Sequence, residues 1–178
     1  PEHPAVADAS ANLAISQAEQ GRPAAAESLF RRVLAIRERT NPPGDPAIGR
    51  ALNNLAGAVY EQGRLAEAEA LYRRGLAQDS AVYGPAHPSV AMDLFNVANV
   101  QSDKGAHAEA LALYARAVGV WERAGGPNHP YIASALTGMA GAHTRAGRPA
   151  DAIPLLRRAL AIHERAHAPD HPFAATAL

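Results

Sequence analysis

Residues 46–87 read PAIGRALNNLAGAVYEQGRLAEAEALYRRGLAQDSAVYGPAH, and Pro88 starts the pattern again. Pro46 suits a first helical turn, where the N–H it lacks is not needed, and Asp45 ahead of it can accept a hydrogen bond from the helix start. About four turns follow to Gly63, a residue that readily takes the left-handed conformation closing a helix. A second, longer helix runs from there to the neighbourhood of Val82, and Tyr83-Gly84-Pro85-Ala86 is a loop. The stretch is therefore two helices and a turn, with no period-2 alternation of the kind a strand needs.

The unit recurs along the whole chain. Pro4, Pro46, Pro88, Pro130 and Pro172 stand 42 residues apart, and Gly21, Gly63, Gly105 and Gly147 keep the same interval. His3, His87, His129 and His171 take the place of Asp45 elsewhere; an unprotonated ring nitrogen can cap a helix, though less well than a carboxylate. A fixed period of this length means stacked supersecondary units, because one unit cannot bury its apolar face alone.

The aligned columns describe the packing. Ala14, Ala56, Ala98 and Ala140 are small where paired helices come closest, as are Ala26, Ala68, Ala110 and Ala152 in the second helices. Leu13, Leu55, Val97 and Met139 are expected on the apolar side of the first helix. Leu29, Leu71, Leu113 and Leu155, then Phe30, Tyr72, Tyr114 and Leu156, are expected to fill that side of the second.

Within the second unit, Leu52, Leu55-Ala56, Val59, Gly63, Ala68, Tyr72 and Gly75 resemble the tetratricopeptide-repeat pattern of bulky, Leu and small residues followed by Ala, aromatic and small. Arg22, Arg64 and Arg148 after the glycine fit it too. The longer period, with His87-Pro88 entering the third unit, is similar to the 42-residue variant of kinesin light chains, and bacterial proteins carry similar arrays. Gln17 and Gln101 depart from that pattern, and Gly138 stands where the other units have Asn.

The expected fold is all-α, a right-handed α–α superhelix of four helical hairpins plus a partial fifth helix. It is expected as one solenoid domain over residues 1–178, with repeats at 4–45, 46–87, 88–129 and 130–171 and the start of a fifth at 172–178. The chain begins in step with the repeat and without Met, and the fifth proline continues the period, which reads as part of a longer array.

In such arrays the first helices line a concave groove. By register, Asp8, Ala11, Asn12, Ile15 and Glu19 face it from the first unit, and Arg50, Asn53, Asn54, Gly57, Tyr60 and Glu61 from the second. Met92, Phe95, Asn96, Asn99, Ser102 and Asp103 follow from the third, and Ser134, Thr137, Gly138, Gly141, Thr144 and Arg145 from the fourth. Asn12, Asn54 and Asn96 form a ladder whose amides, each both donor and acceptor, suit the backbone of an extended peptide. The resemblance to kinesin light chains implies that role. Tyr60 and Phe95 are candidate apolar anchors beside the ladder; Phe95 packed between helices is the plain alternative. Gly138 and Gly141 predict a shallower groove at the fourth unit.

The expected function is thus a non-catalytic scaffold for a protein or peptide ligand. Self-association through the C-terminal end and a regulatory array within a larger protein, an enzyme included, are the other readings. Seventeen basic and seventeen acidic side chains leave no cationic excess for nucleic acid or an anionic membrane. No phosphate loop, nucleophile elbow or cysteine supports catalysis, and no cofactor is implied. His163, His167 and His171 are spaced by four, but Pro169 interrupts that helix, so no metal site is expected. Arg32, Arg74, Arg116 and Arg158 read as a solvated face with pairs such as Glu27–Arg31 and Glu69–Arg73. No signal peptide or membrane span is visible, which points to the cytoplasm.

Overall fold

A computed structural model describes residues 3–166. Among them the chain forms eight α-helices and no strand: α1 (Pro4–Glu19), α2 (Pro23–Thr40), α3 (Pro46–Tyr60), α4 (Leu65–Tyr83), α5 (Pro88–Asp103), α6 (His107–Gly125), α7 (Pro130–Arg145) and α8 (Pro149–Ala166). None of these helices is long and apolar enough to cross a membrane. Two compact units part between Pro85 and Ala86. In the first, α1 pairs with α2 and α3 with α4, and α2 packs on α3; in the second, α5 pairs with α6 and α7 with α8, and α6 packs on α7. The fifth proline, Pro172, and the residues after it lie outside the described residues, as do His167 and His171.

Each first helix starts as its sequence predicts. Asp45 Oδ1 accepts from the N–H of Ala47 at 2.7 Å, and Nδ1 of His3, His87 and His129 accepts from Ala5, Ser89 and Tyr131 at 3.2, 3.2 and 3.4 Å. The carboxylate makes the shorter bond, and that bond is the main reason its pKa lies below the ordinary value. A neutral imidazole does the same task at longer range. All four acceptors precede a proline at the helix start.

The hairpin turns are closed by main-chain atoms. Gly63 takes a φ of +74°, its N–H donates to the Tyr60 carbonyl at 2.8 Å, and the next N–H, of Arg64, reaches back to Val59 at 3.3 Å. That pair of bonds is the Schellman closure, and only glycine enters its left-handed position without a Cβ penalty. The same two bonds recur around Gly21, Gly105 and Gly147.

The alanine columns lie where expected: Ala14, Ala56, Ala98, Ala26, Ala68 and Ala110 are fully buried, and Ala140 and Ala152 nearly so. Two bulky positions differ. Leu13 is 51% exposed and Leu156 46% exposed, whereas Leu55 and Tyr114 in the same columns are buried. The columns assume a neighbour on each side. Within their units α3 is flanked by α2 and α4, but among the described residues α1 packs chiefly on α2 and α8 on α7, with no helix on the other flank of either. Leu29, Leu71, Leu155 and Met139 are half-buried. Helix α8 runs unbroken through Pro154.

Candidate functional site

In the first unit α1, the start of α2 and α3 enclose an open groove of about 620 Å³. Its apolar floor and walls include Ile15, Ala18, Pro23, Phe30 and Ala58, and its polar groups are Glu19, Asn53, Asn54 and Glu61. Six of these eleven lining residues, namely Ile15, Glu19, Asn53, Asn54, Gly57 and Glu61, are ones the helical register assigned to the concave face. The floor was not foreseen. Phe30 was read as core and is 3% exposed, yet its ring forms part of the lining.

A clamp holds one end of this groove. Glu27, on α2, accepts from Arg64 Nη2 at 2.6 Å, Gln62 Nε2 at 2.7 Å and Arg31 Nε at 2.9 Å. Arg31 and Arg64 both also reach Glu67, at 2.5 and 3.0 Å. The Arg64 hydrogen bond is the largest influence on the Glu27 carboxyl, and together with Gln62 and Arg31 it overcomes desolvation and pulls the pKa down to about 2. Glu27–Arg31 is therefore more than the helical surface pair the sequence suggested. The column held the hint, since Glu27 and Glu69 are acidic where Leu111 and Ile153 are apolar. The clamp also turns Gln62 and Arg64 toward α2, while Glu61 beside them lines the groove. Neither the Glu61 nor the Glu19 carboxylate has a hydrogen bond or ion pair with any described residue.

The second unit fills the corresponding space. Tyr114 is buried and donates its hydroxyl to Asn99 Oδ1 at 2.6 Å, and burial pushes its pKa up to about 12. Its ring lies so close to α7 that a Cβ on Gly138 would stand 2.6 Å from Cζ. Gly138 interrupts the asparagine column at a point where the Tyr114 ring occupies the room a side chain would need. The glycine makes way for Tyr114. Phe95 packs on Tyr114 and Trp121, with ring centroids 5.8 and 6.0 Å apart. A separate hollow of about 340 Å³ lies on α7 and α8 between Thr137, Ala140, Gly141, Thr144, Arg145 and Leu156. Both threonine hydroxyls in it donate back to their own helix, Thr137 to Ala133 and Thr144 to Ala140, each at 2.9 Å.

The candidate ligand residues thus fall into three groups. Asn53 and Asn54 line the groove of the first unit. Asn12, exposed on α1, and Asn96, half-buried on α5, have amides without a partner among the described residues, as has Asn54. Asn99 and Phe95 are committed to the Tyr114 cluster, and Tyr60, half-buried at the end of α3, stands outside the lining. Of the arginine stripe, Arg74 pairs with Glu38, Arg158 with Glu122 at 2.5 Å, and Arg32 and Arg116 with no described residue. His163 belongs to α8, and no group of three metal-binding side chains occurs among the described residues.

The chain matches two family profiles described as tetratricopeptide repeat, one over residues 47–118, 94–165 and 131–178 and the other over residues 6–47. Among solved structures it is similar to a kinesin-light-chain-type protein of Podosopora anserina with nearly identical TPR-like repeats. The identity is 24% and the TM-score 0.79, over 97% of this chain and 82% of that one. BtubC (BKLC) from P. vanneervenii is 19% identical with a TM-score of 0.80, over 93% of this chain and 66% of that one. Aspartyl phosphate phosphatase F from Bacillus subtilis is 14% identical with a TM-score of 0.78, over 91% of this chain and 41% of that one. These likenesses establish the all-α repeat superhelix as the fold class. No curated protein sequence matches the chain.

Proposed function

The chain belongs to the tetratricopeptide-repeat family, and from that premise we propose that it is a non-catalytic scaffold whose first helices receive an extended peptide segment of a protein partner. The family supports a protein-interaction role in general. The observation that carries the groove reading is Asn54, an exposed amide with no partner among the described residues, standing beside Asn53 over an apolar floor. An amide offers a donor and an acceptor to each peptide unit, so it holds a main chain without dictating its side chains. Asn12 and Asn96 repeat the same free amide on α1 and α5.

The test is binding of the full chain to a peptide array before and after Asn12, Asn54 and Asn96 are replaced by Leu. At about 1 kcal/mol for each net hydrogen bond, affinity falls at least about tenfold while the helical content is retained. Unchanged binding by the folded triple variant overturns the amide mechanism.

A second reading, self-association, draws on α8, which exposes Leu156 and Leu160 and, among the described residues, packs chiefly on α7. The segment first considered for it, residues 172–178, lies outside the described residues. Light scattering decides it: a strict monomer at high concentration removes this reading.

A further inference from the structure

We infer that the groove of the first unit selects a cationic side chain, arginine or lysine, from the peptide segment it holds; the inference rests on the groove reading above. Glu19 and Glu61 line one cavity and neither is paired with a described residue. Both stand where a helix dipole disfavours them, Glu19 as the last residue of α1 and Glu61 as the C-cap of α3. The negative ends of the two helix dipoles add to the negative potential, and the apolar walls concentrate it. Cations near in sequence are directed elsewhere: Arg64 and Arg31 serve Glu27 and Glu67, and Arg22 is not among the lining residues.

The repeat itself shows what such a column accepts. Two periods on from Glu19 and Glu61 stand Asp103 and Arg145. There the guanidinium of Arg145 donates to Ser102 Oγ and lies 3.8 Å from Asp103 Oδ1. The second unit supplies its own cation at this level of the hairpin, whereas the first presents two carboxylates and an open volume of about 620 Å³. An arginine or lysine of a bound segment would take, in the first unit, the part that Arg145 takes in the second. Its aliphatic stem would lie on the apolar wall and its charge between the carboxylates.

The experiment uses the full chain and a positional-scanning library of acetylated octapeptides, followed by one binding peptide made with arginine or with neutral citrulline at the enriched position. Pools fixed as Arg or Lys are enriched, and the arginine peptide binds about fivefold more tightly than the citrulline peptide at low salt, the gap closing as salt rises. The Glu19→Gln/Glu61→Gln variant loses that gap while its melting temperature holds or rises, since two carboxylates leave helix C-termini. Equal binding of the two peptides, or a gap that survives in the double variant, overturns the cation preference and leaves the groove reading standing. Absence of binding to every pool overturns both.

Discussion

In the first unit α2 meets the α3–α4 hairpin through a carboxylate, Glu27, held by Arg31, Gln62 and Arg64. In the second, α6 meets α7 through rings: Trp121 stacks on His129 at 6.2 Å and packs against Tyr131 at 5.5 Å and Phe95 at 6.0 Å. The exchange can be followed two periods apart, where Glu27 gives way to Leu111, Arg37 to Trp121, Phe30 to Tyr114, Asn54 to Gly138 and Glu61 to Arg145. The α2–α3 seam thus carries its ion network near the start of α2, and the α6–α7 seam its aromatic cluster near the end of α6. The choice has a consequence for the surface. Where rings fill the seam, Tyr114 takes the place of a side chain on α7; where charges hold it, Asn54 stays on α3 beside an open groove.

The largest way to break this contrast is Trp121→Ala. Trp121 is 1% exposed, and removing so large a buried ring costs about 3–5 kcal/mol. Amide hydrogen exchange should show protection lost in α6 and α7, and the loss should be nearly independent of salt. A strongly salt-dependent loss would contradict an aromatic seam.

A smaller effect comes from restoring the asparagine column. Gly138→Asn drives a Cβ into the Tyr114 ring and is expected to lower stability by about 1–3 kcal/mol, read from the denaturation midpoint. Adding Tyr114→Ala should make that asparagine better tolerated than it is beside tyrosine, a coupling a double-mutant cycle measures directly. Additive effects would remove the steric account of the break in the column.

Smaller still is Glu27→Gln, expected to cost about 1–2 kcal/mol because solvent screens the half-exposed arginines around it. Here the pH profile sharpens the contrast. The folded pKa of about 2 lies below the ordinary 4.5, so the contribution is complete above about 4.5 and fades as pH falls toward 2. Thermal melts of the parent chain should lose this increment in that acid window, and Glu27→Gln should remove it. Equal acid sensitivity in both would show that other carboxylates dominate.

Much of the architecture was legible because it is local. Proline with its preceding cap, glycine at the turn and alanine at the closest approach each act within a few residues, and all three columns behave as the period predicts. What escaped the sequence acts between hairpins. Leu13 and Leu156 looked like core because a column has no way to say which flank lacks a neighbour. Glu27 looked fully explained by Arg31 four residues on, although its shortest hydrogen bond comes from Arg64 on the next hairpin. Gly138 looked like a gap in a binding row, and its cause is a ring 24 residues upstream on another helix. The groove was half legible: register placed Asn53, Asn54, Glu19 and Glu61, but only packing reveals that Asn99 accepts from Tyr114 and that Phe95 packs on its ring.

The turn around Gly63, with its copies at Gly21, Gly105 and Gly147, separates what the repeat must keep from what it can vary. Its bonds join carbonyls to amides, so the closure requires one glycine and almost nothing of the neighbouring side chains. The residue two positions before each glycine is Glu19, Glu61, Asp103 or Arg145, a reversal of charge that leaves the turn unaltered. Each hairpin is in this sense an interchangeable cassette. The charge at the rim of the turn can be rewritten one unit at a time without renegotiating the fold.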